Sequence, residues 1–182
     1  MERLDPSDLR LLALSGTHRA ASWNSVLFEA MATLAPPGIG VTVYRDAGSL
    51  PHYAAELEEY SPAPAVRLRA AVQSHHAVVI ASPDLPTGIP GVLKNALDWL
   101  APSGELAGKP VALISTAPRT TYALAALAEL LSGLSAVLVP AACVTVLVPH
   151  KVLDRATLLA DTAVVRSLRQ AVTTLAAAVT SR

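Results

Sequence analysis

Along the chain, short runs of uniformly apolar residues alternate with stretches whose apolar positions recur at helical spacing. Six runs stand out, at residues 9–15, 41–44, 77–81, 111–115, 137–139 and 144–148. They are too evenly apolar for strands with one wet face, so the pattern predicts parallel strands buried on both faces, the last two forming a split fifth strand. Helical spacing predicts a helix over 24–34, stopped by Pro36 and Pro37, and another over 64–74. Pro90 suits a first helical turn, and Val92, Leu93, Ala96, Leu97 and Leu100 continue the period. Further helices are expected over 122–134 and 158–179. Residues 46–63 carry turn formers and prolines without a clear period and read as loop.

Strands alternating with helices through short connections imply a three-layer α/β sandwich, because each right-handed crossover lays its helix back over the sheet. Five such strands suit the order 2-1-3-4-5. That topology places a ligand crevice at the carboxyl ends of strands one, three and four, so the loops at 15–24, 82–90 and 115–121 are the ones to examine.

Composition narrows the class. The 182 residues match one domain spanning 1–182, with no repeat or linker. Fourteen basic residues cancel fourteen acidic ones. A neutral chain offers no surplus for phosphate backbones or anionic lipid, so neither a nucleic-acid nor a membrane partner is expected. Apolar residues make up 52% of the chain and mean hydropathy is +0.45, enough for a large core. The longest apolar stretch, 136–149, falls short of the roughly 20 residues that a bilayer requires. One cysteine builds no disulfide framework, and the first residues carry no basic-then-apolar leader, so the expected location is cytoplasmic.

The loop after the first strand reads Ser15-Gly16-Thr17-His18-Arg19-Ala20-Ala21-Ser22-Trp23-Asn24 and opens onto a helix. Free N–H groups at the helix start, the hydroxyls of Thr17 and Ser22, the Asn24 amide and the Arg19 guanidinium would together cradle a phosphate. The same residues also fit a plain helix cap with a solvated arginine. Taken alone, the loop leaves both readings open.

This loop resembles the G-S-x-R-x-x-S-x-N phosphate loop of the NADPH-dependent FMN reductases, with Thr17 in place of serine. A second segment, Pro83-Asp84-Leu85-Pro86-Thr87-Gly88-Ile89-Pro90-Gly91-Val92-Leu93-Lys94-Asn95-Ala96-Leu97-Asp98-Trp99, is similar to that family's P-E-Y-N-x-S-x-P-G-x-L-K-N-A-x-D-W. From Pro90 to Trp99 every fixed position is matched. The resemblance, over about residues 10–150, implies a flavodoxin-like fold that binds FMN at the strand ends. It further implies hydride transfer from NADPH or NADH, a small-molecule electron acceptor such as a flavin, quinone, azo compound or metal oxyanion, and a homodimer or homotetramer. The implied cofactor residues are Thr17, Arg19, Ser22, Asn24, Pro83, Asp84, Leu85, Pro86, Thr87, Ser115 and Thr116. The helix around Lys94, Asp98 and Trp99 is implied at the oligomer interface.

Departures from the family pattern fall in the ring-facing loops. Asp84-Leu85-Pro86 replaces Glu-Tyr-Asn, which removes an aromatic platform and one backbone donor, and Gly88 replaces serine. The turn at 115–121 has no glycine, so close approach of its backbone to a flavin is harder. These changes motivate a rival reading, a family member that has lost flavin chemistry and serves as a binding or structural protein. A flavodoxin-type electron carrier is a weaker alternative, because docking to redox partners relies on a charged face.

No general acid or base is nominated, since bound cofactors supply the reactive atoms and Asp84 reads as a turn residue. His75 and His76 sit at a helix end, where cations favour the dipole, and no ligand spacing around them suggests a metal. Cys143 reads as inert packing within an apolar strand. Lys94 and Asp98 fit a solvated i,i+4 pair. Trp99, Leu100 and Trp23 are expected to leave apolar surface for a subunit contact.

Overall fold

The computed structural model describes residues 8–17, 22–82, 88–116, 121–147 and 154–181. Its strands are β1 (Leu9–Ser15), β2 (Ile39–Tyr44), β3 (Ala77–Ser82), β4 (Pro110–Ser115), β5 (Val137–Leu138) and β6 (Val144–Thr145). All pairings are parallel, in the order β2-β1-β3-β4-β5, and β6 also pairs with β4. The expected order and the split fifth strand are both present. The split has a local cause. A 3-10 turn at Pro140–Ala142 loops the chain away from β4, and the Leu113 N–H, left between the two short strands, donates to Cys143 Sγ at 3.3 Å. Cys143 thus lies in the link between β5 and β6, not within a strand.

Strand residues alternate between two cores. Leu11, Ala13, Val79, Ala81, Ala112 and Ile114 face α1 (Trp23–Leu34), α5 (Arg155–Ala160) and α6 (Thr162–Thr180). Leu12, Leu14, Val78, Ile80, Val111 and Leu113 face α2 (Ala63–Ser74), α3 (Gly91–Leu100) and α4 (Thr121–Gly133).

Some expectations need correction. The single helix over 158–179 is two helices, because Asp161 leaves helical geometry (φ −82°, ψ 110°) and its carboxylate caps the Ala163 and Val164 N–H groups. Pro90 precedes α3 in extended conformation and does not occupy its first turn. The stretch 46–63 holds two 3-10 turns, Asp46–Ser49 and Ala55–Leu57, and buries Ala47 and Leu50 under α2 and α3.

The expectation of an exposed Trp99 and Leu100 is overturned. Both are within 1% of full burial inside one chain. The turn around residue 51 folds over α3 and covers the indole, whose Nε1–H donates to the Pro51 carbonyl at 2.8 Å. The Tyr53 ring meets Trp99 edge-on, and the Arg69 guanidinium lies 5.7 Å from its ring centroid. Asn95 completes the clamp, accepting from the Tyr53 N–H and donating to the Pro51 carbonyl. The Asn and Trp of the matched motif therefore hold a turn of their own chain. Lys94 and Asp98 form the expected i,i+4 pair at 2.6 Å on the open side of α3.

His76 is not a dipole-facing cation. Its Nδ1 accepts from the Arg10 backbone N–H at 3.0 Å, and burial, then the neighbouring Arg10, holds its pKa below the ordinary histidine value. His75 Nδ1 donates to the Ala71 carbonyl in the last turn of α2.

Candidate functional site at the carboxyl edge

The three central strands each leave the sheet through a serine, Ser15, Ser82 and Ser115, after an apolar run. Parallel register sets Ser15 beside Ala81, Ser82 beside Ser115, and Ser115 beside Thr145. The buried polar residues among the described ones are these three together with Asn24 and Ser25. All five lie at the carboxyl edge of the sheet or on the first turn of α1. Buried polar groups are costly unless bonded, so their concentration at one edge marks the place where the fold keeps hydrogen-bonding capacity.

The start of α1 is fixed by a compact set of bonds. Ser22 is the N-cap, its Oγ accepting from the Ser25 N–H at 3.2 Å and lying 2.9 Å from the Ser25 hydroxyl. Asn24 donates from Nδ2 to the Ala81 carbonyl at 3.0 Å, and the Gly16 N–H donates to the same carbonyl at 2.9 Å. These two bonds lock the β1–α1 loop onto the end of β3. The Thr17 N–H donates to Ser15 Oγ at 3.2 Å. Trp23 and Asn24, the first two helical residues, make no backbone N–H bond among the described residues, as helix geometry dictates for a first turn.

The donor set suits a phosphate. Two unsatisfied N–H groups at the head of a twelve-residue helix and nearby hydroxyls, with no carboxylate among the five buried polar residues, match the needs of a bound phosphoryl anion. One Asn24 donor is already committed to Ala81, so Asn24 positions the loop. Ser22 accepts the Ser25 N–H as the helix cap and shares a hydroxyl–hydroxyl bond with Ser25.

Of the residues singled out from sequence, Thr17, Ser22, Asn24, Ser115 and Thr116 lie together at this edge, with Thr116 half-buried where β4 ends. Arg19, Pro83, Asp84, Leu85, Pro86 and Thr87 fall outside the described residues. Ser15, Ser25 and Ser82 were not anticipated, although the repeated serine exit of three apolar strands is a visible signal. Gly88 explains one departure from the family pattern. Its φ is +103°, a conformation that L side chains rarely adopt, so serine at this position would be strained. No group of three or more potential metal-ligating residues occurs among the described residues, and no described helix is long and apolar enough to cross a membrane.

Residues 9–150 match the family model of the NADPH-dependent FMN reductases. An NAD(P)H-dependent FMN reductase of Pseudomonas aeruginosa is 33% identical over 110 residues, and a quinone reductase of Escherichia coli is 36% identical over 112. In both cases the alignment covers 59% of this chain, and the chain spans 59% of the relative's length. A solved flavoenzyme NAD(P)H:(acceptor) oxidoreductase from Paracoccus denitrificans superposes with a TM-score of 0.77, covering 95% of this chain and 98% of that one. Its 24% identity supports the shared flavodoxin-like fold. With its matched segment running through the strands, the phosphate-suited loop and α3, this chain belongs to the NADPH-dependent FMN reductase family.

Proposed function

We propose that this protein is an FMN-dependent NAD(P)H oxidoreductase that reduces a small electron acceptor, with quinones the favoured class. The observation that carries the reading is the clustering of every described buried polar residue at the carboxyl edge, where the Trp23 and Asn24 N–H groups of α1 have no partner among the described residues. The names of the relatives, FMN reductase and quinone reductase, support the chemistry.

In this reading Thr17, Arg19, Ser22 and the first turn of α1 bind the FMN phosphate, and Asn24 holds their loop in place. Residues 83–87 with Ser115 and Thr116 border the ring. Bound FMN would supply the two-electron chemistry, so the chain needs only to bind, orient and exclude water. We place the protein in the cytoplasm as a homo-oligomer. Trp99 no longer supports an interface on α3, where the open side offers the Lys94–Asp98 pair instead.

A second reading, a family member with weakened or lost flavin binding, is favoured by Leu85 and Pro86 where the family has tyrosine and asparagine. Absorbance in the flavin bands, followed by NADH and NADPH oxidation with and without added FMN, separates the two. The enzyme reading expects FMN-dependent oxidation of at least one nucleotide. Absence of FMN binding at about 100 micromolar, a threshold far weaker than a functional cofactor site requires, favours the rival. Restoring Leu85→Tyr with Pro86→Asn is expected to tighten FMN by about one or two decades through aromatic contact and a regained donor.

A further inference from the structure

The edge of the sheet formed by α4, β5 and β6 has an unusual composition. Residues 121–147 contain a single charged side chain, Glu129, and three of the five large apolar or aromatic side chains that stand exposed among the described residues, Tyr122, Val137 and Leu147, lie within them. Helix α4 is apolar on nearly all sides, which fits a helix covered on more than its core face.

Between α4 and the split strand runs a groove of about 300 Å³, walled by Leu113 and Leu138 of the sheet, Ala125 and Ala128 of α4, Cys143 and Thr145. The groove exists because the 3-10 turn pulls the chain off β4 and because α4 presents alanines toward it. Its lining carries no charge. The Cys143 sulfur is already engaged, accepting from the Leu113 N–H and donating to the Val139 carbonyl. Burial pushes the thiol pKa up, so it stays protonated at neutral pH. Thr145 supplies a polar atom where the groove meets the carboxyl edge, since it pairs in register with Ser115.

We propose that this groove binds a hydrocarbon group, and that it receives the alkyl tail of a ring-substituted quinone whose head lies at the strand ends. The assignment of the tail to a quinone rests on the reductase reading; the groove's preference for hydrocarbon does not. Its volume is at the small end of ligand pockets, suited to a short chain or single ring. Register pairing of Thr145 with Ser115 brings the mouth of the groove close to the strand ends, where the head would lie. Reduction of the quinone head to hydroquinone would consume a hydride from NAD(P)H, which carries two electrons and one proton, and a second proton from solvent, leaving NAD(P)+.

Cys143 is the only cysteine, so it reports on the groove without engineering. Its modification by N-ethylmaleimide is followed by intact mass in the purified chain, without nicotinamide or added flavin. The probes are a decyl-substituted benzoquinone with all ring positions filled, leaving no ring carbon open to a thiol, and tetramethylbenzoquinone as its tail-less counterpart. The decyl compound is expected to slow modification by about tenfold and the tail-less one not at all, since two buried methylenes already amount to about a decade in affinity. Filling the groove with Ala128→Phe, or with Ala125→Leu should the first variant fold poorly, is expected to raise KM for the decyl quinone about tenfold in the FMN-loaded protein. KM for tetramethylbenzoquinone stays the same.

Equal protection by both quinones, or by neither, overturns the proposal. So does modification that slows as protein concentration rises without any probe, which would identify a second copy of the chain as the occupant. Tail-dependent protection in a protein that oxidises no nicotinamide supports the groove and overturns only the reductase reading.

Discussion

At the carboxyl edge of the sheet the buried polar side chains are Ser15, Asn24, Ser25, Ser82 and Ser115, and none of them ionises in the physiological range. At the amino edge the turn between α2 and β3 is fastened by charged groups. Arg10 donates from Nε to the Ser74 carbonyl and pairs with Asp8, and Lys109 donates to the His75 carbonyl at 2.6 Å. The Arg10 and His76 main chains are joined by the His76 N–H to Arg10 carbonyl bond at 2.8 Å. The amino edge remains partly wet, so its charges are solvated and contribute modestly. At the carboxyl edge these five side chains are buried, and neutral donors there can face an anion without the repulsion or desolvation that a buried carboxylate would add. One end of the sheet is organised to hold the chain, the other to hold a ligand.

That division is tested most severely where the hold is strongest. Trp99 is buried near the C-terminal end of α3, and its own carbonyl accepts from Arg69, which also pairs with Glu58. Trp99→Ala is expected to lower unfolding free energy by about 3–5 kcal/mol, measured by urea denaturation, because it opens a cavity and orphans the bond to Pro51. FMN affinity of the molecules that remain folded should change little. A large loss of affinity with little loss of stability would erase the contrast between the ends.

Asn24 stands where the two roles meet. Asn24→Ala removes one of the two donors on the Ala81 carbonyl, so a loss of about 1–3 kcal/mol in stability is expected together with weaker FMN binding. Arg19→Ala should separate the roles. It is expected to weaken FMN at least about tenfold, the worth of one charge-assisted contact, while the melting temperature of the flavin-free protein stays nearly fixed. Titration calorimetry and thermal unfolding of the same two variants check both statements. Equal loss of stability in both variants would make Arg19 structural.

How far the sequence reveals this arrangement depends on which forces set each part. Strand order was legible because buried parallel strands must be apolar on both faces, and runs such as Ala77 to Ala81 satisfy that requirement locally. The break at Asp161 was hidden inside an apolar period that continues through it, although an aspartate followed by threonine is a cap signal. The fate of Trp99 was not legible. Nothing in residues 90–100 announces that a turn forty-eight positions earlier in the chain will fold over the indole. At the site, the glycine, threonine and serine of the β1 loop gave away its character, and the serines ending β3 and β4 were readable as a repeat. The roles of Asn24 and Ser22 were not, because only tertiary placement decides whether an amide or hydroxyl serves the backbone or a ligand.

The smallest effect is the most direct test of the amino edge. Neutral His76 accepts the Arg10 backbone N–H through Nδ1, and protonation would remove that acceptor and add a charge beside Arg10, Lys109 and His75, with Asp8 alone opposing it. Burial first, and then Arg10, lowers the folded pKa from the ordinary value of 6.5. The unfolded chain therefore takes up the proton first as pH falls. The stabilising contribution of His76 is complete above pH 6.5 and is lost as pH drops through the folded value. His76→Asn keeps an acceptor near the Nδ1 position and cannot be protonated there, so its stability should fall less steeply than wild type across the acid range. Because the site is partly open to solvent, the difference is expected to stay below about 1 kcal/mol. It is read as the difference between two pH profiles of melting temperature for the flavin-free proteins. Parallel profiles would remove His76 from the amino-edge fastening, whereas a profile for His76→Asn that is flatter than wild type below pH 6.5, together with an unchanged FMN affinity, would place the titrating group at the end of the sheet away from the cofactor.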